Sequence, residues 1–171
     1  MKVFGIVGWS GSGKTTLLTA MLPLLRAHGL TVSTIKHANH GFDMDRPGKD
    51  SHRHREAGAH EVLVFSGPRW ALLHEVAGPE EPTLPDLLAR LDPVDLVLVE
   101  GFKTFPFPKL EVHRPALGKP PIWPGAPDIV AVAADVAMPD CDRPVLPLGD
   151  PAAVADWLLA QMESLPYHTA A

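Results

Sequence analysis

The sequence contains little cysteine, no excess of positive charge and no long apolar run, and each shortage excludes a class of protein. Cys141 is the single cysteine among 171 residues, so an internal disulfide is impossible and a reducing compartment is favoured. The formal net charge of -5 argues against a nucleic-acid partner, because such proteins carry a basic surface. The apolar runs are too short to span a membrane, and the amino terminus has no signal-peptide pattern. We therefore expect a cytoplasmic protein that binds neither nucleic acid nor membranes.

The most informative stretch that is present lies at the amino terminus and reads MKVFGIVGWSGSGKTT. Its apolar run, residues 3–7, is typical of a strand buried on both faces. The next eight residues match G-x-x-x-x-G-K-[ST], the phosphate-binding loop or P-loop. Its glycines let successive backbone N–H groups point at an anion, and the helix that follows directs its positive end there. We predict that these residues bind a nucleotide: Trp9, Ser10, Gly11, Ser12, Gly13, Lys14, Thr15 and Thr16.

Two loop residues and a distant acid have predicted chemical roles. Lys14 would reach the β- and γ-phosphates as a point charge, and the Thr15 hydroxyl would occupy one position on Mg²⁺. Further along the chain, LVLV followed by Glu100 predicts a buried central strand with an acid at its carboxyl end. In P-loop proteins such an acid lies beside the loop and holds Mg²⁺ or its hydration shell.

The order of the predicted elements indicates the fold class. A helix with an apolar stripe follows the loop, and LTVSTI (residues 30–35) reads as a second strand. EVLVF and WALLHEV, joined by a four-residue turn signal, predict an antiparallel hairpin added to an otherwise parallel sheet. We predict a P-loop NTPase-like α/β fold, a three-layer α/β/α sandwich with a mostly parallel sheet, as a single nucleotide-binding domain over residues 1–171.

The long polar segment after the second strand leaves several alternatives open. Lys36 at the strand end would neutralise phosphate or be an ordinary solvated lysine. Five of the nine histidines lie in residues 37–60, which makes a zinc site one alternative, although the spacings fit no common ligand pattern. Asp43, Asp45 and Asp50 suit Mg²⁺ better, and Asp50 is equally suited to cap a short helix over residues 51–59.

Later segments carry two further predictions. Asp135 follows a buried strand, where its carboxylate would accept the N1–H and N2–H₂ donors of guanine and so select guanine over adenine. A turn aspartate is the alternative. The aromatic segment 102–109 would be a lid, a partner surface or a cover over the core, and residues 118–127 read as a mobile or interface loop.

Several motifs together resemble those of a known family. They are GWSGSGKTT, IKHANHGFDMDRPGKDS with HREAGA after it, LVLVEGFK, LEVHR and AVAAD. Taken together they are similar to the molybdopterin-guanine dinucleotide biosynthesis protein B (MobB) family. The resemblance implies a homodimeric GTP-binding protein of molybdenum cofactor biosynthesis with weak GTPase activity. Its partners would be GTP, molybdopterin and the guanylyltransferase that joins GMP to molybdopterin, which it would assist.

A more distant resemblance, to dethiobiotin synthetase, bears on individual residues. In that family a lysine after the second strand, an aspartate and a Val-Glu-Gly acid surround the P-loop. The likeness assigns Lys36 to phosphate, as a catalytic residue beside Lys14, and assigns Asp50 and Glu100 to Mg²⁺ with Thr15. A small-molecule kinase or ATP-dependent ligase is therefore the main alternative function. A non-hydrolysing carrier that binds a pterin or a protein through residues 102–108 is a third.

Overall fold

The computed structural model describes residues 1–38, 41–76, 78 and 81–167, and the chain divides into two compact units. The first consists of Met1–His37 with Leu87–Ala171, and the second of Ala38–Asp86. The single domain over residues 1–171 stays a prediction. The strands, in chain order, are β1 (Lys2–Val7), β2 (Val32–Lys36), β3 (Glu61–Ser66), β4 (Arg69–His74), β5 (Leu96–Glu100), β6 (Lys109–His113), β7 (Ile129–Ala134) and β8 (Val145–Pro147). The α-helices are α1 (Lys14–Ala27), α2 (Asp50–Glu56), α3 (Leu84–Leu88) and α4 (Pro151–Gln161).

The first unit is built on a six-stranded sheet in the order β2-β5-β1-β6-β7-β8. Every neighbouring pair in this sheet runs parallel. The central position of β1 follows from its sequence, because an apolar run without alternation has to be buried on both faces. The carboxyl end of β1 therefore lies between those of β5 and β6, and the P-loop begins there.

Alternation along the strands divides the core between the two faces of the sheet. Phe4 and Ile6 pack with α1 and α4 in the main cluster, and the Phe4 and Trp157 rings lie 6.1 Å apart. The opposite face carries Val7 and Val132, which are covered by the 3₁₀ turn Trp123–Gly125. Each fully buried side chain of this size stabilises the fold by roughly 1.5–3 kcal/mol.

The second unit contains α2 and the β3–β4 hairpin, whose register runs from Glu61 opposite His74 to Ser66 opposite Arg69. The hairpin exposes large apolar side chains, including Phe65 at 76% and Trp70 at 61%. Adjacent positions on both strands are exposed, so apolar groups lie on both faces of this two-stranded sheet.

The fold prediction is confirmed in its main features: a P-loop NTPase-like α/β fold with a parallel sheet and a separate antiparallel hairpin. The predicted helix after the loop is α1, and its stripe is buried at Leu17, Leu18, Met21 and Leu25. One detail differs. The hairpin is not added to the parallel sheet, because its described strands hydrogen-bond only to each other.

Candidate nucleotide-binding site

The P-loop connects β1 to α1 and has a backbone that requires glycine. Gly8, Gly11 and Gly13 have φ values of 147°, 80° and 100°, in the region that side chains disfavour. At Gly8 a Cβ would also lie 2.4 Å from the Val112 carbonyl oxygen. The turn is therefore closed tightly against β6, as expected for a loop that surrounds a phosphate with its amides.

Lys14, the first residue of α1, points its ammonium group into the loop. Its Nζ donates to the carbonyl oxygens of Gly8 at 3.1 Å and Trp9 at 2.9 Å. The pKa of Lys14 lies below its ordinary value, chiefly because burial penalises the charged form; Lys103 and Lys36 add repulsion, whereas Glu100 acts in the opposite direction. A phosphate anion at the loop would relieve both the desolvation and the repulsion.

Glu100 meets the loop from the end of β5. Its Oε1 accepts a hydrogen bond from Thr15 Oγ1 at 2.9 Å and lies 3.3 Å from Lys36 Nζ. Sheet register explains the convergence, because Glu100 is opposite Ile6 of β1 on one side and Lys36 of β2 on the other. Thr15 and Lys36, which lie far apart in the sequence, therefore share one carboxylate oxygen of Glu100.

The residues present fit Mg²⁺. A threonine hydroxyl and a carboxylate supply the hard oxygen ligands that this ion prefers, and Mg²⁺ commonly binds through one or two protein groups plus phosphate and water. Within the described ranges, no three side chains of His, Cys, Asp and Glu come together as a ready-made metal site. Thr15 and Glu100 would thus hold the ion jointly with nucleotide phosphates.

Asp135 follows β7 and is connected to the P-loop through Arg114. Arg114 Nε donates to the Ser12 carbonyl oxygen at 3.0 Å, and its Nη1 lies 3.4 Å from Asp135 Oδ2. The Asp135 side chain is 35% exposed, so it is partly accessible beside the ion pair. Arg114 was not a predicted site residue, although it ends the LEVHR motif directly after the strand next to β1.

Two further basic side chains, Lys103 and Lys119, lie over the ring of Trp9 in the P-loop. Its indole Nε1 donates to the Pro120 carbonyl oxygen at 2.8 Å. The ammonium groups of Lys103 and Lys119 lie 4.1 and 5.9 Å from the centre of its rings. Neither lysine was predicted as a site residue, although Lys103 ends the LVLVEGFK motif.

Glu111 is a further buried charge that sequence reasoning missed. It is 0% exposed, and its carboxylate accepts hydrogen bonds from the backbone N–H groups of Ile122 and Trp123 at 2.8–3.0 Å. It anchors the centre of the loop at residues 118–127 that was predicted to be mobile or an interface. Since Pro120 of the same loop accepts from Trp9, the anchor also supports the P-loop.

The aromatic segment after Glu100 folds over the core, one of the three alternatives predicted for it. Phe102 and Phe107 are 9% and 4% exposed. The Phe102 ring lies 5.0 Å from the His37 ring and 5.1 Å from the Phe105 ring. The segment is thereby packed beside the end of β5.

The remaining predicted ligands lie in the second unit. Asp50 is the first residue of α2, and Lys49 occupies the cap position, so the prediction that Asp50 is the cap is wrong. The helix begins one residue earlier than predicted. The assignment of Asp50 to Mg²⁺ stays a prediction. Arg55 engages Asp43 at 3.1 Å and Asp45 at 3.6 Å, which leaves neither carboxylate unpaired. His40, a member of the histidine group, lies outside the described residues.

None of the helices in the described part of the chain is long and apolar enough to cross a membrane.

Comparison with known proteins agrees with this geometry. The family model of molybdopterin guanine dinucleotide synthesis protein B (MobB) matches residues 3–135. The molybdopterin-guanine dinucleotide biosynthesis adapter protein of Escherichia coli K12 is 39% identical over 166 residues, which is 95% of this chain and 94% of the relative. The Haemophilus influenzae protein of the same name is 40% identical over 160 residues, covering 92% and 88% of the two chains.

Solved structures give the same result. A crystal structure of molybdopterin-guanine biosynthesis protein B has a TM-score of 0.74 at 28% identity, covering 92% of this chain and 98% of the other. The MobB homologue from Bacillus stearothermophilus has a TM-score of 0.69 at 26% identity, covering 96% and 99%. On the family model and on two relatives that align over nearly their whole length, this chain belongs to the MobB family.

Proposed function

We propose that this chain binds GTP with Mg²⁺ and acts as an adapter in molybdenum cofactor biosynthesis, where it assists the guanylyltransferase that joins GMP to molybdopterin. The MobB family takes part in molybdopterin guanine dinucleotide biosynthesis, and the relatives are named adapter proteins. The observation that carries the nucleotide part is the hydrogen bond from Thr15 to Glu100 beside Lys14. It brings two of the three predicted Mg²⁺ ligands, Thr15 and Glu100, together at the mouth of a closed P-loop.

The chain's own groups would bind and orient the triphosphate. The loop amides surround the phosphates, Lys14 exchanges its two carbonyl partners for phosphate oxygens, and Lys36 adds a second positive charge from β2. Bound Mg²⁺ would neutralise charge that develops on the phosphate oxygens.

We propose that hydrolysis by the isolated chain is slow. Of the carboxylates described around the loop, Glu100 is engaged by Thr15 and Lys36, and Asp135 by Arg114. A group engaged in this way is poorly placed to orient an attacking water molecule. A partner protein that completed the site would raise the rate, as it does in other P-loop proteins.

Guanine selection is proposed for Asp135. Arg114 Nη1 lies 3.4 Å from Asp135 Oδ2, and this ion pair would orient the partly exposed carboxylate toward the N1–H and N2–H₂ groups of guanine. Adenine presents no matching pair of donors. The Asp135 carboxylate would gain hydrogen bonds from guanine and none from adenine, so GTP would bind more tightly than ATP.

A homodimer is proposed from the β3–β4 hairpin. A two-stranded hairpin is at best marginally stable alone in water, and this one exposes Leu63, Phe65 and Trp70 by more than half. A contiguous apolar surface of this kind is typical of an interface. A second copy would bury it.

A competition titration of the purified chain tests the nucleotide assignment. GTP, ATP and molybdopterin are titrated with and without Mg²⁺, using wild type and Lys14→Ala. We expect GTP to bind more tightly than ATP, and Lys14→Ala to lose at least about tenfold in affinity because a charge-assisted contact to phosphate is gone. Lys2→Ala, at the opposite end of β1, is the matched control. Unchanged binding by Lys14→Ala would contradict the proposal, and rapid γ-phosphate transfer to a small metabolite would favour a kinase.

A further inference from the structure

Lys103 lies three residues after Glu100, in a turn whose backbone is unusual. Gly101 and Phe102 have φ values of 100° and 53°, and Phe102 is the one non-glycine residue with positive φ in the described part of the chain. Phenylalanine is disfavoured in this region, so tertiary contacts have to hold it there.

Those contacts tie the turn to the neighbouring strands. The Phe102 ring packs between the rings of His37 and Phe105, and the Gly101 N–H donates to the Ile6 carbonyl oxygen at 3.1 Å. A Cβ on Gly101 would lie 3.0 Å from His37 Cβ. The turn is therefore fixed against β1 at Ile6, two residues before the P-loop begins at Gly8.

Because the turn is fixed, Lys103 extends over the P-loop. Its Nζ lies 4.1 Å from the ring centre of Trp9, while Lys14 Nζ is 2.9 Å from the Trp9 carbonyl oxygen. The two ammonium groups are close enough that Lys103 contributes to lowering the pKa of Lys14. Among the described side chains, Lys103 contacts this aromatic face and forms no ion pair. A cation–π contact at an exposed site is weaker than a charge-assisted hydrogen bond to phosphate.

We propose that Lys103 is a further phosphate-binding residue beside Lys14 and Lys36, which rests on the Trp9 ring in the free protein and moves to the terminal phosphate of a nucleoside triphosphate in the P-loop. This inference rests on the proposed binding of GTP. Trp9 is the second residue of the loop, and its carbonyl is a resting partner of Lys14, the residue that reaches the β- and γ-phosphates. A cation beside Trp9 and Lys14 would therefore contact the γ-phosphate and not the α-phosphate. It would also stabilise the charge that grows there during hydrolysis.

The decisive comparison uses GTP and GDP in the presence of Mg²⁺, with the full-length chain. Lys103→Ala is expected to weaken GTP binding about tenfold and GDP binding less than about twofold, because GDP has no γ-phosphate. Lys103→Arg is expected to retain GTP affinity within about threefold, since it keeps the charge. Lys119→Ala is the matched control: it removes one positive charge beside the same ring, and it should change both affinities less than about twofold.

Each outcome has a distinct meaning. If wild type fails to bind GTP, the proposed function fails before the variants are considered. If wild type binds and Lys103→Ala weakens GTP and GDP equally, or Lys119→Ala matches it, only the role of Lys103 is overturned. Thermal unfolding of the unliganded variants identifies any that fold poorly, and Lys103→Met, which keeps the aliphatic chain, then replaces the alanine variant.

Tryptophan fluorescence gives an independent readout. Departure of the ammonium group from the Trp9 ring should change the emission when GTP is added, and the same addition of GDP should change it much less. The Trp9→Phe variant should lose this difference while keeping the other three tryptophans. An identical response of wild type to GTP and GDP would contradict the proposed movement.

Discussion

Glu100 contacts both a candidate Mg²⁺ ligand, Thr15, and a candidate phosphate-binding residue, Lys36. It is 8% exposed and accepts from Thr15 while facing the ammonium group of Lys36. Such hydrogen-bond and charge partners offset the cost of burying a carboxylate. In a complex with nucleotide, Mg²⁺ would share the Glu100 carboxylate with Thr15 and Lys36.

We predict that Glu100→Gln separates metal binding from phosphate binding. The amide oxygen still accepts from Thr15, but the negative charge that attracts Mg²⁺ is removed. The gain in GTP affinity on adding Mg²⁺ should fall at least about tenfold, whereas binding without Mg²⁺ should stay the same or improve. Isothermal titration with and without the metal measures this. Glu163→Gln, after α4, is the control, and a full Mg²⁺ response in Glu100→Gln would contradict the assignment.

Asp95, which precedes β5, should make the stability of the fold depend on pH. Its pKa is lowered, first by the hydrogen bond from the Thr31 hydroxyl and then by that from the Thr31 backbone N–H. A depressed pKa means that the carboxylate stabilises the fold above its unfolded pKa of about 3.9. This stabilisation is lost as the pH falls through the lower folded value.

The Asp95→Asn variant should therefore be less stable than wild type at pH 7, and the difference should shrink below about pH 4. Urea unfolding at a series of pH values measures it. A difference that stays constant across this range would contradict the role of the Asp95 charge.

At the level of elements, loop 118–127 depends on one buried acid. Glu111 reaches it from β6, and three hydrogen-bond contacts run to two successive backbone N–H groups. The same loop accepts the Trp9 indole N–H through Pro120. A strand, a loop and the P-loop are thus connected through short polar contacts.

We predict that Glu111→Ala destabilises the chain by about 2–3 kcal/mol, because it leaves two N–H groups without their charged acceptor. Urea denaturation measures the change, and Glu163→Ala is the control at an exposed position. The free energy of unfolding should fall in the first variant and remain within about 0.5 kcal/mol in the second. Equal stability of the two variants would show that the loop is held by other contacts.

At the level of the whole molecule, the exposed apolar side chains of the β3–β4 hairpin bear on whether two copies of the chain associate. We predict that Phe65→Glu combined with Trp70→Glu shifts the chain from dimer to monomer, because a charge on each strand opposes burial of the pair. Sedimentation velocity measures the mass. Val145→Glu, at an exposed apolar position of the first unit, is the control. A wild-type monomer, or a double variant that remains dimeric, would contradict the hairpin interface.

The P-loop, the parallel sheet and the hairpin were predictable because each depends on local order in the chain. A glycine-rich turn between a strand and a helix has one common geometry, and a short link between two strands gives an antiparallel pair. Glu100 was predictable for the same reason, as an acid at the end of an apolar strand. The cap interpretation of Asp50 was wrong by one residue, which is within the ordinary uncertainty of a helix boundary.

The sequence by itself determined the position of the proposed phosphate site, since the pattern of a P-loop is contained in eight adjacent residues. Tertiary structure decided which distant charges surround it. Arg114, Lys103 and Glu111 lie in the motifs LEVHR and LVLVEGFK, but nothing in those motifs says which groups they meet. The order of the strands brings the ends of β5 and β6 to either side of the loop. Parallel pairing joins segments that are far apart in the chain, and only the folded sheet specifies which of their side chains meet.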